Sequence, residues 1–181
     1  AMWPIDHQWC FERARIVLRN DNRDRINLID QFATEINRGL EVADIGVGEI
    51  QTPYGNIPIA PLMHYLDPHT NMGIGGSIGI GVGVVTNAAL FCESCFTIAR
   101  QLWQKPDTAL SMRAFGVSLH LVQDLTIPHH ARCKVLFNHR EYEEWLHGNI
   151  DNTPGIPTGN GIYDRNRYPA QWVYSNARDA Y

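Results

Sequence analysis

Four ionisable residues in the second half of the chain form two pairs with the same four-residue spacing. His120 precedes Asp124, and His139 precedes Glu143. Residues four apart lie on one face of an α-helix, so each pair can direct an imidazole and a carboxylate at one point. Zinc accepts both types of ligand at bond lengths of about 2.0–2.2 Å. The spacing therefore predicts a metal site, and His130, in the turn between the pairs, is a further candidate ligand.

Apolar residues recur at helical intervals over most of the chain, which predicts a mainly α-helical fold. The helices are expected at about 7–18, 23–39, 87–104, 108–127, 139–146 and from 169 to the end of the chain. Asp107 is a predicted N-cap, while Gly39 and Pro128 are predicted helix ends. Two segments rich in glycine and proline, residues 45–86 and those after Gly148, are expected to be long irregular loops that frame a cleft.

A length of 181 residues is typical of one globular domain, here spanning residues 1–181, and the helical periodicity predicts that this domain is all-α. Hydrophobic residues make up 44% of the chain, enough for a core, and the formal net charge is -4. An acidic chain is a poor candidate for a broad nucleic-acid-binding surface, although metal ions can supply positive charge locally. No apolar run reaches the roughly 18 residues that a membrane span requires. Cys92 and Cys95 are expected to be core residues of one helix, and disulfide pairing stays open.

Together these residues resemble the bacterial zinc-dependent phospholipase C family, whose relatives, the zinc single-strand nucleases, share a mostly helical fold. The family pattern is His-x-x-x-Asp, then x-x-x-Pro-x-His, and later His-x-x-x-Glu; this chain reads HLVQDLTIPHHA from His120 and HREYE from His139. A second family motif, a histidine followed by an aromatic residue, any residue and then Asp-Pro, appears as HYLDP from His64. The helix that opens at His7 is a further match. The resemblance follows the whole chain in order, and the middle loop matches poorly.

The resemblance implies a cleft that holds two or three zinc ions. The expected ligands fall into three groups: His64, His120, Asp124 and Asp44; His7, Asp124 and the amine and carbonyl of an N-terminal tryptophan, matched here by Trp3; and His130, His139 and Glu143. Ala1 and Met2 precede Trp3 in this sequence, so its nitrogen is a peptide amide and not a free amine. Asp124 and Asp44 are the expected catalytic residues, because a carboxylate can bridge two ions and Asp44 can orient or deprotonate the attacking water. Asp67 is expected to hold a ligand imidazole in place.

The resemblance also implies a hydrolase that cuts phospholipid on the glycerol side of the phosphate, releasing a phosphorylated head group and diacylglycerol at a membrane surface. Zinc suits this chemistry because it neutralises the charge of the transition state and lowers the pKa of bound water to about 7. The protein is expected to be secreted or extracytoplasmic, with its signal peptide removed, and no protein partner is inferred. The glycine-rich run at 71–85 fits a lipid-touching cleft rim and an ordinary surface loop equally well.

Two alternatives stay open at this point. A single-strand nuclease or nucleotidase would use the same metal ligands on a nucleic-acid substrate, and a metal-stabilised module could have lost turnover. Leu121 and Gln123 stand where the family usually has Tyr and Gly. The chain is also expected to be truncated at its C-terminus relative to the catalytic domains of the family. Among residues outside the motifs, Trp145 is expected in the buried core, and His129 and His147 are expected to have no role at the site.

Overall fold

The computed structural model describes residues 3–45, 48–74, 87–135, 138–150 and 166–181. The α-helices in these ranges are α1 (Pro4–Asn20), α2 (Ile26–Gln31), α3 (Ala33–Val42), α4 (Ala88–Trp103), α5 (Thr108–Asp124), α6 (Pro128–Ala131), α7 (His139–Asn149) and α8 (Pro169–Ala180). Strand β1 (Gly48–Ile50) pairs antiparallel with β2 (Ile57–Ile59), and a 3-10 turn follows at Pro61–His64. The all-α prediction is therefore confirmed, apart from this short hairpin. In the described ranges no helix combines the length and the apolar character needed to cross a membrane.

Helix α5 lies in the core and packs against α3, α4 and α8. Its apolar positions Ala114, Val117 and Leu121 are completely buried, because apolar side chains three or four apart share one helix face. Polar contacts reinforce the pairing with α4, where the hydroxyl of Ser111 donates to the carbonyl of Ala99 at 2.7 Å. The C-terminal turn of α5, which carries the predicted ligands, is therefore attached to the most extensively packed element of the fold.

Helices α3 and α5 cross with their backbones in direct contact at two glycines. A Cβ atom on Gly39 would lie 2.1 Å from the carbonyl oxygen of Arg113, and one on Gly116 would lie 2.2 Å from that of Ile36. Only glycine permits this approach. The prediction that Gly39 ends a helix is wrong, since α3 continues to Val42. The residue is needed for helix packing, not for termination.

Several boundaries differ from the predicted ones for local reasons. The helix expected over 23–39 is divided at Phe32, which has φ -106° and ψ 13° and links α2 to α3. Pro128 does not end α5 but opens α6, where its fixed φ and missing N–H suit the first helical position. The N-cap prediction for Asp107 is confirmed, because its carboxylate accepts from the N–H of Leu110 at 3.1 Å.

The segment predicted to be irregular over 45–86 contains the β1–β2 hairpin in its first half. Most of the glycine-rich run, residues 75–86, lies outside the described residues, as do most of the residues expected to form the second long loop, at 151–165. The four cysteines are free, and Cys92 and Cys95 are buried on α4 as predicted.

Candidate metal centre

Asp124 lies at the centre of the candidate site, at the last position of α5. Its Oδ2 atom is 2.8 Å from Nδ1 of His64 and 3.0 Å from Nε2 of His120. Those two nitrogens are 3.3 Å from each other. His64 ends the 3-10 turn, and His120 stands one helical turn before Asp124, so the three atoms come from two distant parts of the chain. All three side chains are buried.

A second group of potential ligands surrounds the other oxygen of Asp124. Its Oδ1 lies 3.3 Å from Nε2 of His7, which α1 brings in from the N-terminal end of the chain. Asp44, just beyond α3, places one carboxylate oxygen 3.8 Å from His7 Nε2 and the other 3.5 Å from His120 Nε2. The rings of His7 and His120 stack with their centroids 3.8 Å apart. Asp124 thus faces both groups, one with each oxygen.

The third group joins α6 to α7. His139 Nε2 lies 2.7 Å from Oε1 of Glu143, the pair predicted from the four-residue spacing. His130 Nε2 is 3.3 Å from His139 Nε2 and 3.7 Å from the same Glu143 oxygen. His130 also connects this group to the first, because its Nδ1 is 3.8 Å from Asp124 Oδ2.

Main-chain oxygens orient two of these imidazoles. Nδ1 of His120 contacts the carbonyl of Leu40 at 3.0 Å, and Nδ1 of His130 contacts the carbonyl of His64 at 2.9 Å. With Nδ1 donating to the carbonyl, the lone pair of Nε2 points into the site, as a neutral imidazole needs in order to bind a metal. The glycine crossing of α3 and α5 brings the Leu40 carbonyl within this reach.

The Nδ1 of His7 has a side-chain partner instead. It lies 2.6 Å from Oε1 of Gln123, the residue before Asp124 on α5. The sequence marked Gln123 only as a departure from the family pattern. Its contact with His7 spans 116 positions, so no local spacing rule could have predicted it.

The buried polar atoms of the site lack the hydrogen bonds that such atoms normally have. Nε2 of His7 and both carboxylate oxygens of Asp44 and of Asp124 have no hydrogen-bond partner, although imidazole nitrogens lie near each of them. Buried polar groups are nearly always satisfied in folded proteins, because an unsatisfied group costs about 1–3 kcal/mol. A cation bound between these atoms and the neighbouring imidazole nitrogens would supply the interactions that the buried oxygens lack.

The carboxylates respond differently to burial. Burial raises the pKa of Asp44 to about 7, and the charge of Asp124 adds to this effect. For Asp124 burial acts in the same direction, but the imidazoles of His120 and His130 outweigh it and hold its pKa well below the usual range. Burial likewise opposes ionisation of Glu143, yet contacts with His130 and His139 lower its pKa to about 2. Asp124 and Glu143 are therefore ionised at neutral pH, whereas Asp44 loses its proton only near pH 7, and a bound divalent cation would stabilise all three carboxylates.

Burial also shifts the pKa of an imidazole at the centre of the site. Burial and the neighbouring His7 lower the pKa of His120 to about 3. A neutral His120 with Nε2 free for a ligand bond is the form that zinc requires.

The geometry fits zinc. In a tetrahedral site with bonds of about 2.0–2.1 Å, ligand atoms lie roughly 3.3 Å apart. The separations measured in the first and third groups are 2.7 to 3.7 Å. Three sets of side chains place one potential ligand atom each within 4.8 Å of the others: His7, Asp44 and His120; His64, His120 and Asp124; and His130, His139 and Glu143. The donor set, nitrogen and carboxylate oxygen, is also the one that zinc prefers.

Trp3, the remaining predicted ligand, lies at the N-cap of α1. Its carbonyl accepts from the N–H groups of Asp6 and His7, and its own N–H donates to the Asp6 carboxylate at 3.3 Å. The buried Asp6 also contacts Nδ1 of His147 at 2.9 Å, and the Trp3 ring stacks on the His147 ring. This contact, which was not predicted, ties α1 to α7 and so holds the ligands of the two helices together. The prediction that Trp3 binds zinc remains a prediction.

Two other expectations are wrong. Trp145 is 60% exposed on α7, not buried, because the buried face of that helix carries His139 and Glu143. Asp67 does not hold an imidazole in the described residues. Its carboxylate accepts from the N–H groups of His69 and Thr70, which closes the turn after β2 and the 3-10 segment.

Comparison with known proteins relates this geometry to a family. A family model described as zinc dependent phospholipase C matches residues 6–180. The phospholipase C of Bacillus cereus is 24% identical over 184 residues, covering 94% of this chain and 59% of that protein. The alpha toxin from Clostridium absonum has the same fold, with a TM-score of 0.65 at 19% identity, over 91% of this chain and 46% of that one. The chain therefore spans about three fifths of the first relative and less than half of the second.

Proposed function

Because this chain belongs to the zinc-dependent phospholipase C family, we propose that it is a zinc-dependent phosphoester hydrolase that acts on phospholipid. The proposed reaction cleaves the bond on the glycerol side of the phosphate, so that water becomes part of a phosphorylated head group and diacylglycerol leaves. The proposed ligands are the three groups described above, with the carbonyl oxygen of Trp3 as a further ligand beside His7. Two or three zinc ions per chain are expected.

One observation carries the proposal, namely the environment of the Asp124 carboxylate. It is completely buried, neither oxygen has a hydrogen bond, and each oxygen faces imidazole nitrogens from other segments. An ionised carboxylate left so deep in a protein is costly unless it is paired or coordinates a metal. A carboxylate with two oxygens aimed at two separate groups is suited to bridging two cations.

The chemistry is divided between metal and protein. Bound zinc supplies positive charge for the phosphate and a water molecule of lowered pKa. Asp124 would link the first two ligand groups, with one carboxylate oxygen directed at each. The proposal assigns to Asp44, whose oxygens have no hydrogen bonds, the role of orienting the attacking water and accepting its proton. The carbonyls of Leu40 and His64 keep His120 and His130 in the required orientation.

Exposed apolar side chains lie on two of the helices that carry proposed ligands, which is compatible with a lipid substrate. Trp3 and Ile5, at the start of the helix that carries His7, are 46% and 59% exposed. Trp145 is exposed on the helix that carries His139 and Glu143. Exposed aromatic and aliphatic groups can contact acyl chains or the interfacial region of a bilayer.

Release of phosphocholine from a soluble short-chain phosphatidylcholine tests the proposal, with single-stranded DNA assayed in parallel. The zinc-loaded chain is expected to release phosphocholine, and chelation or Asp124→Asn is expected to abolish the release. Glu41→Gln, which removes an exposed carboxylate at the end of α3, should leave the rate unchanged. Cleavage of DNA alone would favour the nuclease. Zinc binding without either activity would mean a module that has lost turnover.

Secretion is a further proposal, and it follows from the family alone. Cell fractionation of the source organism, with the natural precursor, would place the protein in the culture medium if the proposal is right. Recovery of the chain with the cytoplasmic fraction would contradict it.

A further inference from the structure

The two nitrogens of the His7 imidazole face two consecutive residues of α5. Gln123 places Oε1 2.6 Å from Nδ1, and Asp124 places Oδ1 3.3 Å from Nε2. One face of the ring stacks on His120. The orientation of the ring is therefore determined from three directions, and the contact at Nδ1 is the shortest of them.

This arrangement differs from that of the neighbouring imidazoles. His120 and His130 direct Nδ1 at main-chain oxygens, which any residue type at those positions would supply. For His7 the oxygen belongs to a side chain, so the contact depends on the identity of residue 123. Glutamine and glutamate carry an oxygen at this reach, whereas alanine and methionine do not.

The contact between Gln123 and Nδ1 affects the other ring nitrogen of His7, Nε2. Nε2 of His7 is buried and has no hydrogen-bond partner, and it faces the carboxylates of Asp44 and Asp124. If Nδ1 carries the proton and donates it to Gln123, the lone pair of Nε2 points at this acidic position. A hydrogen bond at the remote nitrogen of a ligand imidazole fixes its tautomer and strengthens it as a ligand.

We propose that Gln123 is a positioning residue, which accepts a hydrogen bond from Nδ1–H of His7 and thereby directs Nε2 at a zinc ion shared with Asp124. The inference rests on the proposed function in that this position is taken to bind zinc. Removal of such a partner weakens metal binding by roughly 10- to 100-fold. The effect is confined to the ion at His7, because the group on α6 and α7 makes no use of Gln123.

Three substitutions separate this role from a general structural one. Gln123→Ala and Gln123→Met remove the acceptor, and the second retains most of the side-chain volume. Gln123→Glu keeps an acceptor and cannot donate through an amide. Gln101→Ala, at an exposed position of α4, is the matched control for losing a glutamine from a helix.

Two measurements apply to every variant. Titration against a chromophoric chelator gives the number and affinity of the zinc ions. NMR of the 15N-labelled chain detects the His7 Nδ1–H proton, with and without zinc, and a hydrogen-bonded proton exchanges slowly with water. The second measurement does not require the chain to bind zinc.

The alanine and methionine variants are expected to bind one zinc ion, the one at His7, 10- to 100-fold less tightly and to lose the slowly exchanging proton. Gln123→Glu and Gln101→Ala should retain both properties. Unchanged affinity in the alanine and methionine variants would overturn the proposal, as would loss of the proton signal in Gln123→Glu. If the unmutated chain binds no zinc, the proposed function fails, and a Gln123-dependent proton signal would still support the contact while its absence would overturn it.

Discussion

Replacing Asp44 with asparagine should stabilise the metal-free protein and weaken its binding of zinc. In the metal-free chain the Asp44 carboxylate is almost buried, has no hydrogen bond, and lies in the field of Asp124. These surroundings make the ionised form unfavourable. Asparagine has nearly the same shape and no charge, so the unfavourable term disappears. With zinc bound, the same substitution removes a negative ligand and should lower affinity.

The size of the effect follows from the pKa of Asp44, which burial and Asp124 raise from 3.8 to about 7. Each pH unit between the two values corresponds to about 1.4 kcal/mol, so the ionised group costs the metal-free fold up to about 4 kcal/mol. The buried amide of asparagine, also without a partner, costs about 1–3 kcal/mol. The net gain at pH 8 should therefore be about 1–3 kcal/mol, or roughly 2–12 °C in Tm for a domain of this size.

A more stringent test is the direction in which the stability difference between Asp44→Asn and the unmutated protein changes with pH. Below pH 3.8 Asp44 is protonated in the folded and in the unfolded chain, and the charge term vanishes. Between about pH 4 and pH 7 the unfolded chain loses the Asp44 proton while the folded chain retains it, so the metal-free fold loses stability as pH rises. The asparagine variant lacks this loss. The difference between the two proteins should therefore grow from pH 4 to pH 7 and then level off, while the cost of the amide stays constant.

Thermal unfolding followed by circular dichroism, on chelator-treated protein at a series of pH values, measures this difference. Glu41→Gln serves as the control, because it removes an exposed carboxylate near the same end of α3 and should show no such trend. A stability difference for Asp44→Asn that does not change between pH 4 and pH 7 would refute the burial argument. So would a gain of equal size in the presence of saturating zinc.

Further expectations concern the metal and the helix crossing. Metal analysis of the purified protein should find two or three zinc ions per chain, and fewer than one would contradict the proposed metal site. Chelation should lower the Tm, because binding energy at such sites is also folding energy. Asp124→Asn should reduce hydrolysis of short-chain lipid more than Asp44→Asn, since Asp124 faces two ligand groups; equal losses would exclude the bridging role. Gly116→Ala should destabilise the fold by about 1–3 kcal/mol or more and weaken zinc binding, because its Cβ would meet the Ile36 carbonyl at 2.2 Å. Gly148→Ala, with open space around the added carbon, should be neutral or stabilising in the same denaturation assay.

Much of the fold could be predicted from local sequence because helices depend on contacts three and four residues apart. Helices α1, α4, α7 and α8 lie close to their predicted positions. The errors arose where a residue type has more than one use. Gly39 can end a helix or admit a neighbouring helix, and Pro128 can end one helix or begin another. The choice between these uses depends on packing partners that are distant in the chain.

In the candidate site, too, local spacing could be predicted from the sequence and distant contacts could not. The pairs His120 with Asp124 and His139 with Glu143 could be predicted, because each is a spacing within one helix. Membership of the zinc-dependent phospholipase C family was likewise predicted from motifs in chain order, and the family match over residues 6–180 confirms it. Assignment of the individual ligands to zinc remains a prediction.

The amino-acid sequence by itself determined which side chains could bind a cation and which helices carry them, since both depend on residue type and short-range periodicity. The family resemblance also implied how these ligands are grouped, but only the tertiary structure decided which contacts hold their side chains in position. The contact of Gln123 with His7, the carbonyl of Leu40 at His120 and the bond between Asp6 and His147 join residues 80 to 141 positions apart. Such contacts exist because helices pack in a particular orientation, with two glycines allowing α3 and α5 to touch, and helix packing is a property of the whole chain.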